Sequence, residues 1–236
     1  MTINRLVKGR GAEPIHVYES KPSEPGPGLV IIPSIFGIGP DVIEHADGLA
    51  AQGALVWVLD PFWRTTPGPL TVGVQAPEAM ARKRAHAEQA GHDDVTDLLA
   101  AIRQESLCCG SRITLGICFG GRFSFLAAAR GLVDGCAAWH GSGLASLLDR
   151  AADIKVPTSL HFGATDPLIP IAEVDAIRAA FSEHEGVEIG LHPGAGHGFT
   201  HTGALPYNAA ATRSAVAGIV RLIAQLKDGT QAYPGG

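Results

Sequence analysis

Residues 112–121 read Arg-Ile-Thr-Leu-Gly-Ile-Cys-Phe-Gly-Gly, and this stretch decides the fold. The first half is short, apolar and rich in β-branched and aliphatic side chains, as a buried strand requires. The second half places small residues two before and two after Cys118, which permits a sharp strand-to-helix turn. An alanine-rich run follows, predicting a helix over 121–130 that Gly131 closes. Working outward, strand and helix signals alternate. Residues 28–33 predict a buried strand, and 41–52 a helix with Asp41 as N-cap and Gly53 as its stop. Residues 54–59 predict the next strand. Residues 77–104 predict helix, interrupted at Gly91 and resumed at Asp93. Further strands are expected at 136–139, 158–162 and 187–191, with helices at 172–182 and 208–226. Near-continuous apolar strands need cover on both faces. The expectation is an α/β fold: one domain over 1–236, built on a doubly wound, mostly parallel sheet with helices on both faces.

Composition narrows the function classes. The chain has 236 residues, a net charge of -5 and only 17% charged side chains, against about 25% in ordinary domains. That balance argues against a nucleic-acid groove, which needs clustered lysine and arginine. No apolar run is long enough to span a membrane, and residues 1–7 lack the apolar core of a secretory signal. Cys108, Cys109, Cys118 and Cys136 include no Cys-x-x-Cys pair, so neither a disulfide framework nor a zinc ribbon is suggested. Free thiols fit a cytoplasmic protein. Cys108 and Cys109 read as a polar turn before the central strand, and Cys136 as a small core residue.

Ligands of such sheets bind beyond the carboxyl ends of the strands. Three residues in those places could do chemistry together. Cys118 sits over a helix N-terminus, where backbone N–H groups and the helix dipole favour a thiolate. Asp166, in Gly-Ala-Thr-Asp-Pro, follows the strand at 158–162. His197, in Ala-Gly-His-Gly-Phe, follows the strand at 187–191. Singly, each has a plainer account: a buried structural cysteine, a turn-forming aspartate, a surface-loop histidine. Together they fall in the order nucleophile, acid, histidine, each after an expected strand. In that reading Cys118 attacks an acyl carbonyl, His197 keeps it ionised and later activates water, and Asp166 fixes the histidine tautomer. The backbone N–H groups of Phe119 and Ile35 are the expected oxyanion hole.

The chain resembles the dienelactone hydrolase family of α/β-hydrolases over residues 14–226. The resemblance rests on Ser34-Ile35-Phe36-Gly37, on the cysteine turn, on Gly-Ala-Thr-Asp166 and on Ala-Gly-His197-Gly-Phe. It implies a carboxylic ester hydrolase that opens a lactone through an acyl-enzyme on Cys118, with no cofactor and no metal. The implied partner is a small-molecule ester or lactone, a carboxylate in the family's own substrates. Two positions depart from the family pattern. Ser34 stands where the family carries a glutamate that gates the thiol, and His201 where it carries a carboxylate-binding arginine. Replacing arginine by histidine removes a permanent, bidentate carboxylate partner, and histidine is cationic only at mildly acidic pH unless its pKa is raised. Arg64, Arg82 and Arg84 are the other cations that could meet a substrate carboxylate, and Trp139 could line the pocket or pack in the core. A different activated ester or thioester is the alternative substrate, and a non-catalytic thiol sensor or ligand-binding protein of hydrolase fold the alternative to an enzyme. The spacing of His197 and His201, with His192 nearby, suggests a metal pair only on a helix, which Gly194, Gly196 and Gly198 argue against.

Overall fold

The computed structural model describes residues 4–227, so the outermost residues of the expected 1–236 domain lie outside it. In chain order its strands are β1 (Arg5–Val7), β2 (Ile15–Ser20), β3 (Gly26–Ile32), β4 (Leu55–Leu59), β5 (Cys108–Ile117), β6 (Gly135–Trp139), β7 (Thr158–Gly163) and β8 (Val187–His192). The α-helices are α1 (Pro40–Ala51), α2 (Ala76–Ala85), α3 (Glu88–Ile102), α4 (Gly121–Ala129), α5 (Ile171–Ala180) and α6 (Ala209–Lys227). The strands form one sheet in the order β1-β2-β4-β3-β5-β6-β7-β8. From β4 to β8 across the sheet every neighbouring pair is parallel. The β1–β2 and β2–β4 pairs are antiparallel.

The two-residue period of the strands divides the core into two layers. Leu29, Ile31, Val56, Val58, Ile113, Leu115, Ile117 and Trp139 pack beneath α1 and α6. Val30, Ile32, Leu55, Trp57, Cys136, Leu160 and Phe162 face the other way, among side chains of α3, α4 and α5. Both faces are therefore covered, as the apolar runs demanded. After β3 the chain goes to β4 on one side, and β5 then pairs on the other. Loops leaving β3 and β5 thus diverge, which opens a crevice at their carboxyl ends.

Three local expectations are corrected. Asp41 is not the N-cap of α1: Gly39 is, Pro40 opens the helix, and Asp41 lies in its first turn. The α2–α3 break falls at His86 and Ala87, and Gly91 lies inside α3. A Cβ on Gly91 would come within 2.7 Å of the Phe123 and His86 rings, so this glycine permits close packing and breaks nothing. Cys108 and Cys109 belong to β5 itself, which starts earlier than its apolar half suggested. The edge strands β1 and β2 and the 3-10 stretch Leu144–Asp153 were not anticipated.

The turn after β5 is the tightest point of the fold. Cys118 has a φ of 53°, the left-handed region that side chains with a Cβ rarely occupy. A Cβ on Gly116 would lie 2.3 Å from the Gly120 carbonyl oxygen, and one on Gly120 only 1.8 Å from that of Ile32. Glycine at 120 is thus imposed by backbone contact with β3. Gly131, at φ 66°, has open space around it. Gly120→Ala should cost about 3 kcal/mol or more in urea unfolding. Gly131→Ala should cost only about 1–2 kcal/mol, from backbone conformation alone. Equal losses for the two variants would contradict this account.

Candidate active site

The turn lifts Cys118 off β5 to the N-terminal end of α4, half-buried at the mouth of the crevice. His197 follows β8 and places its Nε2 3.1 Å from the Cys118 sulfur. Its Nδ1 lies 2.8 Å from Oδ2 of Asp166, which follows β7. The other carboxylate oxygen of Asp166 accepts the amides of Leu168 and Ile169 at 2.8 and 3.2 Å, so the side chain cannot rotate freely. The two loops are tied together: Thr165 donates to the Ala195 carbonyl through both its amide and its hydroxyl, at 3.0 and 2.9 Å. The three side chains therefore form one hydrogen-bonded line from sulfur to carboxylate.

Electrostatics follow from that line. Burial opposes ionisation of the Cys118 thiol. Hydrogen bonding to His197 and its positive charge, then the Ser142 hydroxyl and the Phe119 amide, outweigh burial and bring the thiol below its ordinary range. Burial likewise works against the His197 imidazolium. The bonds to Asp166 and Cys118 overcome it, and its pKa is raised to about 10. At neutral pH both shifts favour a thiolate beside an imidazolium.

The loop after β3 faces this pair. Ser34 is buried, and its Oγ accepts the Phe36 amide at 3.2 Å while its carbonyl accepts that of Gly37 at 3.0 Å. The serine therefore closes a turn, and Ser142 is the hydroxyl beside the thiol, 3.6 Å from the sulfur. Arg82 donates to the Ile35 carbonyl at 2.8 Å and to the Gly68 and Thr66 carbonyls at 2.8 and 3.1 Å. Among the described residues no acceptor engages the Ile35 amide.

The other residues singled out in the sequence lie elsewhere. Arg82 is buried with its guanidinium stacked on Phe62, and serves as a clamp on the Ile35 loop. Arg64 is held by both carboxylate oxygens of Asp94 and stacks on Trp63. Arg84 is exposed. His201 is buried and bonded to Asp41 at 2.6 Å, so a carboxylate of the protein already occupies it. Trp139 is fully buried under α1 and α6, edge-on to His45, and offers no surface to a ligand. The side chain facing the thiol from β6 is the next one, His140, whose ring centroid lies 5.0 Å from that of His197. Burial, then the charges of His197 and His201, keep His140 well below the ordinary histidine range and thus neutral.

A cavity of about 230 Å³ is lined by Lys83, His86, Glu88, Phe119, Arg122, Phe123, Ser142 and Gly143; Cys118, Asp166 and His197 are not among its walls, and Ser142 links it to the thiol. Phe62, His86, Phe119 and Phe123 pack edge to face around it. Its cations are Lys83 and Arg122, the latter paired with Glu88 at 2.9 Å. Lys83 lies between the two arginines considered from sequence. Consecutive helical positions point about 100° apart, so a one-residue error in register selects the wrong side chain.

The sequence pattern of the dienelactone hydrolase family matches residues 15–227. The chain is 27% identical over 205 residues to a carboxymethylenebutenolidase from a Pseudomonas species, covering 86% of each chain. It is 30% identical over 193 residues to the carboxymethylenebutenolidase of Pseudomonas putida, covering 79% of this chain and 80% of that one. A crystal structure from Klebsiella pneumoniae superposes with a TM-score of 0.80 at 21% identity, over 93% of this chain and 96% of that one. That likeness establishes the fold. Taken with the family match and the 30% relative, it places the chain in the dienelactone hydrolase family, a hydrolase on an α/β-hydrolase sheet.

Proposed function

We propose that the protein hydrolyses a small ester or lactone through an acyl-enzyme on Cys118, with Asp166 and His197 completing a catalytic triad. The observation that carries this reading is the unbroken line from sulfur through His197 to Asp166, with contacts of 3.1 and 2.8 Å. The thiolate adds to the acyl carbon, and the carbonyl electron pair moves to oxygen. The Phe119 and Ile35 amides would receive that oxyanion; Phe119 already bonds the sulfur, and Ile35 is free to donate. Collapse breaks the bond to the alkoxide, which takes the proton from His197 Nε2. Neutral His197 then accepts a proton from water as its oxygen adds to the thioester. A second collapse returns the Cys118 thiolate beside an imidazolium, and Asp166 holds the histidine throughout. No cofactor or metal enters these steps.

The 230 Å³ cavity beyond Ser142 and Phe119 would take the part of the substrate remote from the scissile bond, and a carboxylate there would meet Lys83 and Arg122. The sensor alternative needs a second thiol within reach. Cys109 stands nine positions back along the extended strand, about 30 Å from Cys118. Cys136 is buried and bonded to Ser124. We also read the chain as one cytoplasmic domain; among the described residues no helix is long and apolar enough to cross a membrane.

Cys118→Ala should lower kcat/KM on an aryl ester or enol-lactone by at least about 1000-fold, and Asp166→Asn by a similar factor, with folding intact. Full activity in Cys118→Ala on every ester cleaved by the wild type would end the proposal.

The pKa directions predict a pH profile for alkylation of Cys118 by iodoacetamide. Below the lowered thiol pKa the sulfur is protonated and the rate falls. Above it the rate should stay level through neutrality, because His197 keeps its proton until about pH 10. In His197→Gln the hydrogen bond and charge of the imidazolium are lost while burial remains against the weaker Ser142 and Phe119 contacts, and the rise should move up toward the ordinary thiol range of about 8.5. Superimposable profiles would rule out the ion pair.

Lys83→Met should raise KM for a carboxylate-bearing lactone about tenfold, leaving a neutral aryl ester unaffected. Arg64→Met should change neither ratio. An unchanged preference in Lys83→Met would remove this cation from substrate recognition.

A further inference from the structure

His140 is fully buried, has a φ of 38°, and is one of only two non-glycine residues with positive φ among those described. Its Nε2 lies 2.9 Å from the Thr200 hydroxyl, whereas Nδ1 is buried without a hydrogen-bond partner. A buried nitrogen left in this way is costly unless something uses its lone pair. In the tautomer whose Nε2–H donates to Thr200, Nδ1 keeps that lone pair. A ring nitrogen of His140, one of His197 and the Cys118 sulfur all lie within 4.8 Å of one another.

We propose that Cys118, His140 and His197 form a three-ligand site for one borderline-soft divalent cation of the zinc class. The donor set is one sulfur and two nitrogens, which suits zinc or cobalt and not magnesium or calcium. Ligand bonds of about 2.3 Å to sulfur and 2.0 Å to nitrogen put tetrahedral donors roughly 3.5 Å apart. The 3.1 Å sulfur–nitrogen contact therefore needs to open by only about half an ångström. Each histidine is supported at its remote nitrogen, His197 by Asp166 at 2.8 Å and His140 by Thr200 at 2.9 Å, the arrangement that orients metal-bound imidazoles. Charge also suits: one thiolate and the Asp166 carboxylate balance a dication. On binding, the cation forms bonds to the sulfur and to both nitrogens, and the proton shared by Cys118 and His197 leaves to solvent. The fourth position stays open. Bound metal would take the sulfur out of service as a nucleophile. That consequence rests on the acyl-enzyme reading, whereas the binding itself does not.

The test titrates the full, reduced chain with Co²⁺. The expected result is one equivalent bound, with sulfur-to-cobalt charge transfer in the near ultraviolet and ligand-field bands of tetrahedral intensity, both displaced by Zn²⁺. His140→Asn, in which asparagine tolerates the left-handed backbone, should bind at least about tenfold more weakly. Thr200→Val removes the remote support and should weaken binding by about tenfold as well, which covers a His140 variant that fails to fold. Zn²⁺ should abolish ester hydrolysis over the same concentration range, and a chelator should restore it. No charge-transfer band in the wild type, or undiminished binding in the variants, would overturn the site. The spectra read the metal whether or not esters are cleaved, so failure of the hydrolase reading and failure of the site remain distinguishable.

Discussion

The left-handed backbone of Cys118 holds the functional end of the molecule together. A residue with a Cβ at φ 53° resists that conformation by about 1–2 kcal/mol, and here it is held by contacts that leave no alternative. Gly120 presses on the β3 backbone, Gly116 on Gly120, and the Ser142 amide donates to the Cys118 carbonyl at 3.0 Å. The same turn aims the sulfur at His197, directs the Phe119 amide toward it and starts α4. Relaxing the backbone would release all three at once. The fold thus concentrates its strain at the residue whose side chain lies against His197.

Much of this was readable in the residues. Buried strands announce themselves because a covered sheet needs apolar side chains on both faces, and β3 to β7 do so plainly. Cys118, Asp166 and His197 are distant in sequence but each follows a strand, and parallel strands bring such positions to one edge. The edge strands β1 and β2 were harder to read. Only alternate residues of β2 are buried, and polar residues intervene, so no continuous signal forms. The break between α2 and α3 was misplaced because Gly91 looks like a helix breaker in sequence and acts as a packing contact in space.

The cavity-lining side chains were the least legible, for a geometric reason. Arg82 and Lys83 are neighbours in the chain, yet one clamps the Ile35 loop and the other lines the cavity. Trp139 and His140 are likewise adjacent, but one fills the layer under α1 and α6 while the other faces the thiol. Composition and spacing identify such segments to within a residue or two, whereas function depends on which single side chain turns inward. His201 adds another lesson. It stands where the family carries a carboxylate-binding arginine, which implied a substrate contact, but its Nδ1 is bonded to Asp41 of α1, from 160 residues earlier in the chain.

The outer margins of the sheet bear on a different matter, the behaviour of many copies in solution. One margin is β1, only three residues long, whose Arg5 is tied to both Glu19 and Glu105. The other is β8, where exposed Glu188 pairs with Arg221 of α6. A short margin offers few unpaired backbone groups, and charge on a longer one penalises the approach of a second strand. A sheet of eight strands with so apolar an interior is thereby protected from growing edge to edge into aggregates.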